Sequence, residues 1–295
     1  MLVLLALMLS ACGRKDTVRS VYHWKTAFDP TQYELDFLHE HQVQRLYLRL
    51  FDVDLNQDGE PVPIATTRFM QPLPDDIEVV PVVYITNEAI GCNISFYEVM
   101  VERVMKMAEC NGFEVKELQV DCDWTESNRY DFKWFCEGLK ELLHEKGIRL
   151  SATVRLWQID STLAQLPADA TTLMLYNTGD LRSAKTRNSI LDYKDAKPYL
   201  QRMKSSMMDS MSVAWPLYGW GVAFDEAGQF TNLVSSAAMG SDNSGRLRIE
   251  WGEMEQMRLA RQALPDKPRE VILYHLDSLN LSRYSHEDIE ELFEH

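Results

Sequence analysis

The chain has 295 residues, of which 45% are apolar, 10% aromatic and 25% charged, and its 30 Lys and Arg residues against 45 Asp and Glu give a formal charge of −15. This apolar share excludes a disordered chain, and the length is sufficient for one large core. The excess of acidic residues excludes a general basic surface for nucleic acid, because phosphate binding needs clustered Lys and Arg. The composition indicates an acidic globular protein with no nucleic-acid partner.

The first twelve residues differ from the rest of the chain. Residues 1–9, MLVLLALML, form an apolar run that is shorter than the roughly 20 residues needed to span a bilayer. The following Leu-Ser-Ala-Cys sequence ending at Cys12 resembles a bacterial lipobox, whose cysteine is lipidated and becomes the mature N-terminus. We therefore expect a signal peptide over 1–12, a tether over 13–20 and export to the outer membrane, on its periplasmic or cell-surface face. A frayed N-terminal helix is the alternative.

The remaining cysteines, Cys92, Cys110, Cys122 and Cys136, form no CxxC pair and no Cys/His cluster with zinc spacing. Buried free thiols are predicted for them, although export would permit a disulfide.

In chain order, eight short β-branched or alternating runs predict strands, and amphipathic runs between them predict helices. The predicted strands are Val21–Trp24, Gln44–Phe51, Glu78–Ile85, Glu117–Asp123, Arg149–Leu156, Thr172–Asn177, Met211–Tyr218 and Val271–Leu276. The predicted helices are Pro30–His41, Ser95–Asn111, Tyr130–Lys146, Ala196–Ser206 and Met254–Leu264. An apolar face that includes Val99 and Met105 is expected on the second of these helices, and Gly147 is expected to end the third.

This alternation of strands and helices predicts an α/β fold, a (β/α)8 TIM barrel in a single domain over residues 21–295. A doubly wound open sheet is the competing fold, but it usually has a Gly-rich turn after its first strand, and residues 24–28 contain no glycine. Residues 224–251 lack a clean helical pattern, and Asp225-Glu226-Ala227-Gly228 is typical of a turn between two short strands. An excursion is therefore expected between strands 7 and 8.

Alternation along the fourth strand predicts that Gln119, Asp121 and Asp123 point into the barrel, while Leu118, Val120 and Cys122 face the helices. Asp123 comes near the carboxyl end of the strand, where barrel active sites lie. Two carboxylates held this close raise the pKa of one of them, which suits acid–base catalysis.

Other strands add polar inward residues. Arg45, Tyr47 and Arg49 share the inner face of the second strand, and Ser151, Thr153 and Arg155 share that of the fifth. In the third, Tyr84, Thr86 and Glu88 fall on one side. One interpretation is an ion-pair network that fills the barrel. The other is a site in which Arg49 and Arg155 hold the carboxylates or an acidic sugar.

Aromatic residues gather at the same strand ends, where flat rings offer stacking surfaces for the C–H faces of sugars. They are Trp24, Trp124, Trp157, Tyr176, Tyr218, Trp220 and Tyr274. Asn177 follows one of them, whereas the mid-helix Trp134 is interpreted as a core residue.

Metal motifs are weak in this sequence. The acidic run over 52–60 resembles a calcium loop, but Gln57 and Ile64 stand where an EF-hand needs Gly and Glu, so a solvated acidic loop is expected. A metal site made from His275, Asp277 and Asp123 is conceivable, although an ordinary strand histidine is favoured. We expect no metal and no cofactor.

The segment Leu118-Gln119-Val120-Asp121-Cys122-Asp123-Trp124 resembles the Asp-x-Asp strand of chitinase-like glycosidases, which are (β/α)8 barrels. The chain is also similar to an uncharacterised family of Bacteroidota lipoproteins, at residues 21–25, 119–125, 175–179 and 218–221. In the chitinase-like pattern the proton-donating Glu comes two residues after the second Asp. That position is Thr125 here, and Glu126 follows it.

The resulting hypothesis is an exported lipoprotein that hydrolyses a carbohydrate at the carboxyl-end face of the barrel. Asp121 and Asp123 would orient and polarise the carbohydrate. The general acid would be Asp123 or Glu88, unless a bulge turned Glu126 inward. The expected sugar-binding residues are Trp24, Arg49, Trp124, Arg155, Trp157, Tyr176, Asn177, Tyr218 and Trp220. The alternative is a glycan-binding or surface-assembly lipoprotein without catalysis. The expected partners are a carbohydrate and, through a lipid on Cys12, the membrane.

Overall fold

The computed structural model describes residues 17–92, 96–159, 166–235 and 246–294. The expected signal peptide, the lipidation site Cys12 and residues 13–16 of the expected tether lie outside this part. The strands are β1 Val18–His23, β2 Ala27–Phe28, β3 Arg45–Leu55, β4 Pro61–Ile64, β5 Arg68–Phe69, β6 Glu78–Ile85, β7 Glu117–Cys122, β8 Arg149–Arg155, β9 Ala170–Met174, β10 Met211–Pro216, β11 Gly219–Phe224, β12 Phe230–Ser235, β13 Leu247–Trp251 and β14 Glu270–Tyr274. The helices are α1 Gln32–Glu40, α2 Asn87–Cys92, α3 Tyr97–Asn111, α4 Arg129–Glu145, α5 Tyr193–Leu200, α6 Ser205–Met208, α7 Met254–Gln262, α8 Ser278–Leu281 and α9 His286–Phe293.

Eight parallel strands close into a barrel in the order β1-β3-β6-β7-β8-β9-β10-β14, and β14 pairs with β1 again. The predicted (β/α)8 architecture is therefore confirmed. The first barrel strand begins at Val18, so residues 18–20 belong to the barrel and not to the expected tether.

The expected excursion is present after β10. Strands β11, β12 and β13 form a separate antiparallel sheet in the order β12-β11-β13. The turn between β11 and β12 is at residues 225–228, where Gly228 has a φ of +77°, a conformation that favours glycine.

The helices pack on the barrel with a narrower apolar stripe than predicted in α3. Met100, Val101, Val104 and Ala108 are buried, but Val99 is 71% exposed and Met105 37%. Val99 lies on the opposite side of the helix from the buried stripe, since the α-helix repeats every 3.6 residues. In α4, Trp134 is 54% exposed, so its assignment to the core is wrong. Gly147, with a φ of +71°, follows α4 as expected.

Inside the barrel the polar residues form layers. At the amino end, Arg45 contacts Glu78, Glu117 and Glu270 at 2.9, 3.0 and 3.0 Å. Above this layer, the Tyr22 hydroxyl donates to Gln119 at 2.6 Å. The predicted alternation of the second, fourth and fifth barrel strands is therefore correct, and the lower barrel is filled by an ion-pair network.

Cys122 and Cys136 are buried and free, whereas Cys110 is free but exposed, contrary to the expectation for it. No helix among the described residues is long and apolar enough to cross a membrane.

Candidate functional site

A cavity of about 640 Å³ opens at the carboxyl ends of the barrel strands. All eight barrel strands supply wall residues, directly or from the residues that follow them. The lining is Trp24, Arg49, Asp52, Tyr84, Asp121, Asp123, Arg155, Met174, Tyr176, Asn177, Tyr218, Gly219, Trp220, Leu233, Val234, Ser235, Tyr274, His275 and Asn280. Leu233, Val234 and Ser235 come from β12, so the excursion forms one side of the cavity.

Two carboxylates line the cavity floor at the carboxyl end of β7: Asp121 in the strand and Asp123 directly after it. Asp121 is 7% exposed and accepts a hydrogen bond from the Thr153 hydroxyl at 2.5 Å. Burial and the negative charge of Asp123 raise the pKa of Asp121 to about 6. A carboxyl with this pKa is able to give or take a proton near neutral pH.

Each arginine of the cavity already holds a carboxylate. Arg155 Nε donates to Asp123 Oδ1 at 2.7 Å, and its Nη2 contacts the same oxygen. Arg49 Nε donates to Asp52 Oδ1 at 2.6 Å, while Nη2 bonds the other oxygen, so this pair is bidentate. Of the two roles considered for these arginines, the structure shows the holding of carboxylates. Three carboxyls face two guanidiniums, so the floor has no excess positive charge for an acidic sugar.

An aromatic wall of five rings lines the same cavity, and the Arg49 guanidinium lies over one of them, 5.7 Å from the centroid of Trp24. Its members are in edge or tilted contact along the chain Trp24, Tyr274, Tyr176, Tyr218 and Trp220, with centroid separations from 5.2 to 5.9 Å. The Tyr218 hydroxyl donates to Asn177 Oδ1 at 2.6 Å, and Trp220 Nε1 donates to Glu250 at 2.7 Å. These bonds fix the two rings. Neighbouring rings meet at angles of 33° to 89°, and Tyr176 and Tyr218 are buried, so the stacking surface comes from the partly exposed rings of Trp24, Tyr274 and Trp220.

Most residues predicted for the site line this cavity: Asp121, Asp123, Trp24, Arg49, Arg155, Tyr176, Asn177, Tyr218 and Trp220. Their roles in binding or catalysis stay predictions.

Three residues predicted for the site lie elsewhere. Trp124 is buried and packs against Phe132 and Trp157, because it continues the outward-facing side of β7. Trp157, in a 3-10 turn over 156–158, is 39% exposed and contacts Trp124 outside the cavity lining. Glu88 lies in α2 and is exposed, because β6 ends at Ile85 and the chain then turns into a helix. The expected positions of these three are therefore wrong.

The position of the chitinase-like acid is not in the cavity either. Thr125 is exposed in the loop after β7, and Glu126 is exposed and paired with Arg129 at 3.0 Å. Strand β7 ends at Cys122, so Glu126 belongs to the loop that follows and not to a bulged continuation of the strand.

Sequence reasoning missed Asp52, which was expected in a solvated loop. Strand β3 instead continues to Leu55, and its register with β6 shifts between Arg49 and Phe51. This irregularity sets Asp52 opposite the inward Tyr84, which explains why Arg49 and Asp52 both reach the cavity. The alternation of the strand by itself carries no signal for such a shift.

His275 and Asn280 were also not predicted as site residues. They follow β14, the strand whose aromatic end was recognised at Tyr274. The ligand atoms of His275, Asp277 and Asp123 do not come together in the described part of the chain, and Lys25 contacts Asp277 at 3.0 Å.

Among the described residues, one group brings three metal-ligand atoms within 4.8 Å: His41, His286 and Glu290. Glu290 already accepts from His41 at 2.7 Å and from Arg19 at 2.9 Å, and the two imidazole rings stack at 4.6 Å. These contacts account for the group without an ion, and none of its members lines the barrel cavity.

No protein-family model matches the chain, and no curated protein matches it. Solved structures do match. The GH18 chitinase ChiB from the chitin utilization locus of Flavobacterium johnsoniae aligns with a TM-score of 0.60 at 14% identity, over 95% of this chain and 94% of that one. The spore cortex-lytic enzyme SleL of Bacillus megaterium aligns with a TM-score of 0.56 at 12% identity, over 94% of this chain and 74% of that one.

A class V chitinase from Nicotiana tobaccum in complex with NAG4 aligns with a TM-score of 0.57 at 12% identity, over 95% of this chain and 99% of that one. Likeness at such low identity concerns the fold and not the activity. The chain therefore has a glycoside-hydrolase-like (β/α)8 barrel, similar in architecture to the chitinases.

Proposed function

We propose that this protein binds a carbohydrate in the cavity at the carboxyl ends of its barrel strands. The observation that carries the proposal is that the partly exposed rings of Trp24, Tyr274 and Trp220 line the same cavity as the Arg49–Asp52 and Arg155–Asp123 pairs. Aromatic faces stack on the C–H faces of sugar rings, and the paired charged groups offer hydrogen-bond donors and acceptors to hydroxyls. Barrels of this fold also hold their ligands at this face.

The experiment is a calorimetric titration with a panel of soluble tetrasaccharides that includes NAG4, the ligand of the tobacco chitinase. We expect Trp24→Ala to weaken binding of the tightest panel member about tenfold, which corresponds to roughly 1.4 kcal/mol. Trp134→Ala is the matched control, because Trp134 is an exposed ring on α4 outside the cavity. Equal loss in both variants, or no binding by the wild type, would contradict the proposal.

Hydrolysis is the second candidate function. The observation in its favour is that Asp121 lies in the cavity beside Asp123, where burial and that negative charge raise its pKa to about 6, a value that suits a general acid. Against it, Arg155 engages Asp123, and a threonine, Thr125, takes the place of the chitinase-like acid.

These two functions separate in the variant Asp121→Asn. If the protein is a hydrolase, reducing-end release should fall by about 10²–10⁴ while affinity for the oligosaccharide persists. If the wild type binds a panel member and releases no reducing ends from it, the protein only binds.

We also propose that the chain is exported and anchored to the outer membrane through Cys12. The support is the apolar run over 1–9 and the Leu-Ser-Ala-Cys sequence that ends it. The variant Cys12→Ala should stay unprocessed and should lose its partitioning with membranes. Unchanged partitioning of this variant would contradict the proposal.

A further inference from the structure

Two buried polar atoms on the cavity wall have no hydrogen-bond partner in the described structure: His275 Nδ1 and Asn280 Oδ1. Both residues line the cavity, and Asn280 is only 4% exposed. His23 Nδ1 is also without a partner, but His23 is not among the residues that line the cavity.

The backbone around Asn280 is held by hydrogen bonds, so the group without a hydrogen-bond partner is the side-chain oxygen. Asp277 caps α8 and accepts from the backbone N–H of Asn280 at 3.1 Å. Lys25 binds Asp277 at 3.0 Å and Glu34 at 2.8 Å, and Glu34 accepts from the backbone of Ser278 at 2.8 Å. The amide of Asn280 is therefore presented to the cavity by a rigid support.

Leaving a buried polar group without a partner is unfavourable, and native proteins satisfy nearly all such groups. Asn188 shows the ordinary case in this chain. It is buried to the same degree, at 2% exposure, but its Nδ2 donates to the Trp251 carbonyl at 2.8 Å and its Oδ1 accepts from the backbone of Ile190 at 3.0 Å. The Oδ1 of Asn280 lacks such a contact, and Asn280 is one of the residues that line the cavity.

We propose that His275 and Asn280 form a recognition point for the hydroxyl groups of an uncharged sugar ring that stacks on Trp24 and Tyr274. The inference deepens the proposed carbohydrate binding and rests on it. The rings of Trp24 and Tyr274 are 5.6 Å apart, and the His275 ring is 5.3 Å from that of Tyr274. A sugar stacked on these rings would lie beside His275, and under this proposal Asn280 Oδ1 accepts from one of its hydroxyls.

The chemistry of His275 suits a hydroxyl group and not an anion. Burial lowers the pKa of His275 to about 4, so its imidazole is neutral at physiological pH. A neutral imidazole has one donor and one acceptor nitrogen, and a hydroxyl likewise donates and accepts.

The test uses three isosteric variants: Asn280→Leu, His275→Phe and the control Asn188→Leu. For Asn280→Leu we expect at least tenfold weaker binding of the panel oligosaccharide that the wild type binds most tightly, with an unchanged or higher melting temperature. His275→Phe should lose affinity equally at pH 6 and pH 8. Asn188→Leu should lower the melting temperature, because it removes satisfied hydrogen bonds.

Monodeoxy derivatives of the same oligosaccharide locate the contact. The derivative that lacks the contacting hydroxyl should bind the wild type more weakly than the parent sugar does. It should bind Asn280→Leu as well as the parent sugar does, because this hydroxyl and the Asn280 amide form the same hydrogen bond.

The inference is overturned if Asn280→Leu lowers the melting temperature as much as Asn188→Leu, because the amide then has a structural partner. It is also overturned if Asn280→Leu binds like the wild type while Trp24→Ala still weakens binding, and in that case carbohydrate binding itself stands. Absence of binding by the wild type to every panel member would refute both proposals.

Discussion

Charged residues of the barrel interior differ in their exposure to solvent. This exposure determines how much stability is lost when one of them is replaced. The guanidinium of Arg45 is 9% exposed, and two of its partners, Glu117 and Glu270, are 2% and 0% exposed. Arg45→Met leaves these buried carboxylates with only the longer contacts from Arg149 and Arg269, at 3.6 to 4.0 Å. We expect a loss of about 3–5 kcal/mol in the free energy of unfolding, measured by urea titration.

Arg155→Met is the matched comparison. Its partner Asp123 is 39% exposed, and Arg155 itself is 22% exposed, so water compensates the lone carboxylate. The expected loss is about 1 kcal/mol. Equal losses of unfolding free energy in the two variants would mean that the ion pairs at the amino end are as accessible to solvent as those in the cavity.

Asp121 makes stability depend on pH. Its pKa is about 6 in the folded protein against an ordinary value of 3.8, so between these values the folded state binds more protons than the unfolded state. Stability from this group is therefore lost as the pH rises through this window, and the cost, at most about 3 kcal/mol, is fully present above it.

Asp121→Asn removes this cost while Oδ1 remains able to accept from Thr153. We expect the variant to be more stable than the wild type at pH 7.5 and to lose that advantage near pH 4, in urea titrations of both proteins. A stability difference that does not change with pH would show that Asp121 titrates normally.

At the scale of elements, the antiparallel sheet is fixed to the barrel by close backbone contacts. A Cβ on Gly252 would lie 2.0 Å from the carbonyl oxygen of Pro216 in β10, and the backbone N–H of Gly252 donates to Tyr218 at 3.1 Å. This contact brings β13 and its Glu250, the partner of Trp220, to the cavity edge.

Gly252→Ala should therefore lower stability by about 1–3 kcal/mol and also weaken oligosaccharide binding, because the sheet must move. Gly91→Ala is the control: Gly91 lies in α2 with nothing within 4 Å of the added methyl, so stability should stay equal or rise slightly. Thermal melts and calorimetry check both. Normal binding by Gly252→Ala would mean that the sheet does not position the cavity wall.

Strand positions and their inward-facing sides were largely predictable from the sequence. Strands and their inward sides followed from alternation, because a residue's side of a strand is set by parity alone. The prediction was wrong where an element ended or shifted: β6 ends before Glu88, and the register shift of β3 turns Asp52 inward. Trp124 shares the side of Cys122, so parity, applied consistently, places it outside the cavity.

For the whole molecule, β1 closes the barrel by pairing with β14 on one side and β3 on the other. All strands of a closed barrel share one core, so no half of the barrel can unfold while the other half keeps its core. We expect one cooperative unfolding transition, with coincident curves from far-UV circular dichroism and tryptophan fluorescence. Two separate transitions would contradict the prediction of a single domain over residues 21–295.

The sequence by itself determined the number and order of the barrel strands, the inward position of Asp121, Asp123, Arg49 and Arg155, and the excursion after the seventh barrel strand. These features are local, because hydrophobic period and turn residues encode them within a few positions. Only the tertiary structure decided which carboxylate each arginine holds, which aromatic rings meet in one wall, and that His275 and Asn280 face the same cavity with polar atoms unpaired. Those pairings join residues far apart in the chain, and their geometry depends on strand register and barrel closure, which no single segment specifies.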